Sequence, residues 1–293
     1  MTSSSGTSTP SNKPPLKILM LHGYTQSGPL FRSKTRALEK NLAKAFPHRS
    51  IQLSYPTAPI QLYKSDIPNW DDPNGTAGFE NKDVGGEEAP DAWGWWRRKG
   101  EAEPYTYDGM EIGFARCAEV LKNEGPFDGV IGFSQGGALA GMLASTLEPG
   151  RREAFEKAQE SGGMRFPEAL EEDTGFVTDV VHPPFKFAVS YSGFGASNHP
   201  LYRAFYEPKI KTPMLHYLGT MDTVVEEKRS LRLAEACEDS GTEGRIVYHP
   251  GGHFLPSSQK QVVAPLLAFI KETVEGGDKP KKDESVEDMD VPF

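Results

Sequence analysis

The sequence predicts an α/β protein: a single, mostly parallel sheet of about six strands, helices on both faces, and two loop excursions over the site. Three observations carry this expectation. Short continuous apolar runs, which suit buried parallel strands, alternate with segments of helical period. The exchange of strand for helix repeats six times along 293 residues, without an internal repeat. Near the middle, Val130-Ile131-Gly132-Phe133-Ser134-Gln135-Gly136 reads as a strand that turns sharply into a helix.

Taken in order, residues 1–15 are rich in Ser, Thr and Pro and lack an apolar stretch, so they are expected to be a disordered leader and not a signal peptide. Lys17-Ile18-Leu19-Met20-Leu21 is the first strand, ending at His22-Gly23. A helix is expected over 29–46, stopped by Pro47, and a second strand over 50–55. Residues 64–92 are rich in Gly, Pro, Asn and acids, and read as an inserted surface excursion. After Trp93-Gly94-Trp95-Trp96 comes a helix over 107–124, stopped by Gly125-Pro126. The central strand and its small-residue helix run to about residue 147, and a second inserted excursion spans 149–182, with one helix at 152–160, above the carboxyl edge of the sheet. Three strands at 185–190, 213–218 and 245–248 follow, with helices over 226–238 and 259–273. The folded domain is thus expected over 16–274, and 275–293 as a disordered acidic tail.

Composition excludes several classes. The net charge of −9 is local: eight acids against one lysine in 66–92, and seven against three from 275 onward, total −11 and leave the remainder at +2. A near-neutral body offers no nucleic-acid footprint. No apolar run is long enough to span a bilayer. Two cysteines, Cys117 and Cys237, each in a helical segment, suit buried thiols in a reducing compartment. The expected location is cytoplasmic, with the nucleus also open. No cofactor and no metal are expected, because neither a Cys/His ligand spacing nor a phosphate-binding glycine loop occurs.

Gly132-Phe133-Ser134-Gln135-Gly136 fits G-x-S-x-G, in which glycines flank a serine on a strained turn and lift its hydroxyl to a helix N-terminus. A serine hydroxyl needs a base, and the base an orienting acid. In this chain order the acid follows the serine and the histidine comes last. Asp222, past the strand 213–218, and His253, past the strand 245–248, answer that order. His249 is the competing base, but it lies nearer the strand, whereas Gly251-Gly252 frees His253 to turn inward. His22 is expected to be structural. Two backbone amides should stabilise the oxyanion, that of Gln135 and, from the loop after the first strand, that of Tyr24. Trp95 and Trp96 carry two readings: an anchor of their loop on the core, or the wall of an acyl pocket.

The motifs Leu21-His22-Gly23-Tyr24-Thr25-Gln26, Trp95-Trp96, Gly125 to Gly136 and Pro250-Gly251-Gly252-His253-Phe254-Leu255-Pro256 resemble those of the FSH-type serine hydrolases, relatives of fungal polyketide thioesterases and of the ovarian-cancer-associated hydrolase of animals. The resemblance spans about residues 16–274 and implies the α/β-hydrolase fold and cleavage of carboxylic esters or acyl thioesters. It further implies Ser134, Asp222 and His253 as a catalytic triad, Tyr24 and Gln135 as oxyanion donors, and Trp95-Trp96 at the acyl pocket. The expected partner is a small-molecule ester or thioester; an acyl-carrier or synthase partner is the alternative, and a non-catalytic binding module with the same fold is the other class. The acidic stretch 66–92 is longer than the resemblance requires.

Overall fold

The run Leu16 to Leu21 is almost wholly buried because it lies in the interior of a sheet covered on both faces. In the computed structural model, which describes residues 13–67, 91–173 and 178–276, strand β1 (Pro15–Leu21) pairs in parallel with β2 (Ser50–Ser54) on one side and β3 (Gly129–Phe133) on the other. Strands β4 (Phe187–Tyr191), β5 (Met214–Gly219) and β6 (Ile246–His249) continue outward, giving the order β2-β1-β3-β4-β5-β6 with every neighbour parallel. Register follows side-chain alternation. Ile18, Met20, Ile131, Val189 and Leu215 point to one face, and Leu19, Leu21, Val130, Ala188 and Met214 to the other.

The first face is covered by α1 (Gly28–Lys34), α2 (Arg36–Ala45) and α7 (Lys260–Glu275), through Phe31, Leu38, Leu42, Val262, Leu266 and Ile270. The second is covered by α3 (Met110–Glu124), α4 (Gln135–Thr146) and α6 (Glu227–Glu235), through Phe114, Val120, Leu139, Leu143 and Leu233. Each such side chain contributes roughly 1.5–3 kcal/mol of burial before chain entropy is set against it. Because β2 and β3 flank β1, the winding reverses between β1 and β3, the position at which open parallel sheets place their sites.

Three local differences from the sequence reading have physical causes. The expected helix over 29–46 is two helices, broken at Thr35, whose hydroxyl donates to the Phe31 carbonyl at 2.9 Å and shares a 2.9 Å hydrogen bond with Tyr55. The helix expected from 107 begins at Met110, because Thr106–Asp108 forms an antiparallel ladder with Arg97–Lys99. The excursion 149–182, expected over the carboxyl edge, lies instead along the outer helical layer. Its helix α5 (Arg151–Gln159) carries Phe155, which packs edge-on against Phe205 at 4.8 Å, and its exit returns to the amino edge, where the Phe127 N–H donates to His182 Nε2 at 2.7 Å. Buried Phe155, Phe166 and Leu170 require a covered face, and the helices supply it. The excursion 64–92 leaves and re-enters through the ladder Ile60–Gln61 with Trp93–Gly94; most of its acids, like the leader to residue 12 and the tail from 277, lie outside the described residues. Among the described residues no helix is long and apolar enough to cross a membrane.

Candidate active site

Ser134 sits between β3 and α4 at φ 53, ψ −116, a conformation that a non-glycine residue adopts only when its surroundings force it. The flanking glycines do the forcing. A Cβ on Gly132 would stand 2.0 Å from the Gly136 carbonyl oxygen, and one on Gly136 would stand 2.1 Å from that of Leu21. The serine N–H donates to the Tyr191 carbonyl at 2.8 Å and its carbonyl accepts from Ala138 at 3.0 Å, so the turn is tied both to β4 and to the helix it opens.

The loops after β5 and β6 are laced together. Thr220 N–H donates to the His249 carbonyl and Met221 N–H to that of Gly251, each at 3.0 Å, and together the two loops carry Asp222 and His253 to the serine. His253 Nδ1–H donates to Asp222 Oδ2 at 2.8 Å, and Ser134 Oγ–H donates to His253 Nε2 at 2.9 Å. The other Asp222 oxygen accepts from Val224 and Val225 N–H, both at 2.9 Å. Burial alone would raise the Asp222 pKa, but the His253 hydrogen bond and charge and the two amides hold it below the usual carboxylate value. An ionised Asp222 accepts from Nδ1–H and so leaves Nε2 as the acceptor facing the serine. The His253 ring also packs 4.9 Å from that of Phe133.

The structure brings Ser134, His253 and Asp222 together, and leaves the competing histidines elsewhere. His249 is buried below the lacing, its ring 5.2 Å from Phe254, with neither ring nitrogen hydrogen-bonded among the described residues; burial lowers its pKa, and the nearby Asp222 charge opposes that shift. His22 is fully buried, accepts from Ala58 N–H at 2.9 Å through Nε2 and donates from Nδ1 to the Gly23 carbonyl at 2.7 Å; burial drops its pKa to about 4.

Gln135 is the first residue of α4, where the N–H groups have no partner within the helix. The Tyr24 loop runs beside it: a Cβ on Gly23 would lie 3.3 Å from Ser134 Cβ. Trp95 and Trp96 are 0% and 1% exposed, within the core. Trp95 Nε1–H donates to the His22 carbonyl at 2.9 Å, and the Trp96 ring lies 5.2 Å from Tyr107. Trp95 is thus tied to the loop after β1, and Trp96 packs on the Thr106–Asp108 strand. Sequence reasoning missed the Gln135 side chain, which is 5% exposed in its residue and bonded to the main chain of both tryptophans. The available signal was a long amide immediately after the serine. A cavity of about 580 Å³, lined in part by Arg152, Asp179 and His182, lies at the amino edge of the sheet, away from Ser134. No cluster of His, Cys, Asp and Glu able to hold a metal ion occurs among the described residues.

A parallel six-stranded sheet with a serine at the turn from its central strand defines an α/β-hydrolase. The profile of the family described as "Serine hydrolase (FSH1)" matches residues 11–264, and the chain belongs to that family. It is 32% identical to Family of serine hydrolases 3 of Saccharomyces cerevisiae over 87% of this chain and 83% of that protein, and 31% identical to Esterase OVCA2 of Danio rerio over 86% and 96%. A Schizosaccharomyces pombe protein named Dihydrofolate reductase is 35% identical over 83% of this chain but only 44% of its own length; with a second relative covered to 50%, the chain spans about half the length of the first curated relatives it matches. Among solved structures, acyl-protein thioesterase 2 of Zea mays superposes with a TM-score of 0.51 at 19% identity, covering 90% of this chain and 97% of that one.

Proposed function

We propose that the protein is a serine esterase or thioesterase that works through an acyl-enzyme on Ser134. The observation that carries this reading is the unbroken relay from Ser134 Oγ through His253 to Asp222, both links within 2.9 Å, on a serine held at positive φ at a helix N-terminus. In the first half-reaction His253 Nε2 takes the Ser134 proton as Oγ attacks the acyl carbon. The oxygen that gains charge is met by the N–H groups of Tyr24 and Gln135. His253 then gives the proton to the departing alcohol or thiol. Water repeats the sequence on the acyl-enzyme, and Asp222 keeps the imidazole in one tautomer throughout.

The relatives' names, a family of serine hydrolases and an esterase, support an ester as substrate. None of those names points to an acyl-carrier or synthase partner, and the reductase name, attached to a protein matched over 44% of its length, is not carried over. A reducing, cytoplasmic setting is supported by the two buried cysteines, whose thiols burial pushes up, that of Cys117 to about 12. The test is turnover of a short-chain ester by Ser134→Ala, expected to fall by about 10³-fold or more; near-wild-type turnover overturns the mechanism. Ratios of kcat/KM on matched oxygen and sulfur esters then assign the leaving group.

A further inference from the structure

The two backbone donors assigned to the oxyanion come from loops far apart in sequence, and something must fix the gap between them. Gln135 offers its backbone N–H on one side of that gap while its side chain is clamped on both ends: the Trp95 N–H donates to Oε1 at 2.7 Å, and Nε2–H donates to the Trp96 carbonyl at 2.9 Å. Two bonds of opposite sense leave the amide plane no freedom, and they fix the first residue of α4 from outside the helix. The segment so gripped also holds the other donor's loop. Trp95 Nε1–H donates to the His22 carbonyl at 2.9 Å, Thr25 N–H to the Trp93 carbonyl at 2.9 Å, and Trp93 N–H to the Gln26 carbonyl at 3.2 Å. Tyr24 is therefore tethered on both sides, and its ring lies over Gly94, where a Cβ would meet it at 2.7 Å. The buried indoles of Trp95 and Trp96 make this segment rigid.

We infer that Gln135 is the positioning residue of the oxyanion hole, its side chain using the segment Trp93–Trp96 as a brace that sets the distance between the Gln135 and Tyr24 amides. The inference rests on the acyl-enzyme reading above. It makes Trp95 and Trp96 supports of the donors. It also explains why a long amide follows the serine: only a side chain that both accepts and donates satisfies a buried N–H and a buried carbonyl at once.

The experiment compares wild type, Ser134→Ala, Gln135→Leu and Gln135→Glu on a short-chain nitrophenyl ester, with an alkyl boronic acid as a tetrahedral inhibitor. Gln135→Leu is expected to lower kcat about 10- to 100-fold with KM unchanged within about 2-fold, and to weaken boronate inhibition by a similar factor, because the donors matter only once the oxygen carries charge. Gln135→Glu is expected to regain activity relative to wild type as pH falls, since a protonated carboxyl can again accept from Trp95 and donate to Trp96. That ratio decides the question if Gln135→Leu fails to fold. Wild-type kcat in Gln135→Leu, a loss confined to KM, or a ratio for Gln135→Glu that does not change with pH overturns the brace. An active Ser134→Ala removes the reading beneath it, whereas an inactive Ser134→Ala beside an unimpaired Gln135→Leu overturns the brace alone.

Discussion

Ser134 holds a backbone conformation that costs of order 1–3 kcal/mol on its own, and the cost is borne because the turn is over-determined from both sides. Gly132 and Gly136 contribute close contact as well as flexibility: neither has room for a methyl group, and what each would strike is backbone, which cannot swing away. Gly136→Ala is therefore expected to lose more than about 2 kcal/mol in urea unfolding, and to lose turnover beyond what the unfolded fraction explains. A variant as stable and as active as wild type would show that the turn is looser than described. At this scale the serine, aspartate and histidine were legible in the sequence, because chain order and the ends of strands constrain them. The preference for His253 over His249 followed from Gly251-Gly252, and the structure places His253 Nε2 at 2.9 Å from the serine. The amide clamp of Gln135 was not legible, because its partners are main-chain atoms some 40 residues away and leave no pattern in residue identity.

Among the elements, α4 is buried along its whole length, which its small residues already imply, while α5 beside it opens on a buried ion pair. Arg151 and Glu148 form a 2.8 Å ion pair with side chains 1% and 4% exposed. Arg151 also donates to the carbonyls of Ala204, Pro208 and Lys209, and Glu148 accepts from Lys211 and Thr212, so the pair fixes the approach to β5. Removing one partner strands the other without water. Arg151→Met should cost about 3–5 kcal/mol, and the double variant with Glu148→Met less than the sum of the two singles. Additive losses in chemical denaturation would mean that the two residues act independently. Strand and helix identities were readable from apolar period, but the break at Thr35 and the path of 149–182 were not. Both are decided by tertiary partners, Tyr55 for the first and the α3 face with Phe205 for the second.

Across the whole molecule the buried histidines set the response to acid. His22 and His216 are fully buried and neutral, and burial lowers each from an unfolded value near 6.5 to about 4; burial shifts His182 and His249 in the same direction. Between pH 6.5 and 4 the unfolded chain binds the additional protons, so stability is complete above this window and declines as pH falls through it. The depressed carboxylates, Asp66, Asp222 and Glu103, act lower: their contribution persists to about pH 4 and is lost only below it. Urea midpoints should therefore fall between pH 7.5 and pH 5, and fall less in His216→Met; equal falls would contradict the assignment. The sheet order, with its reversal between β1 and β3, explains why the loops that carry Tyr24 and Ser134 converge at one edge.

Covalent labelling of the folded protein by a fluorophosphonate, with the adduct located by peptide mass, tests most directly whether Ser134 is an activated nucleophile. A single adduct on Ser134 is expected, lost in His253→Ala although that variant keeps the serine. An adduct on another residue, or labelling at Ser134 that is undiminished in His253→Ala, would contradict it.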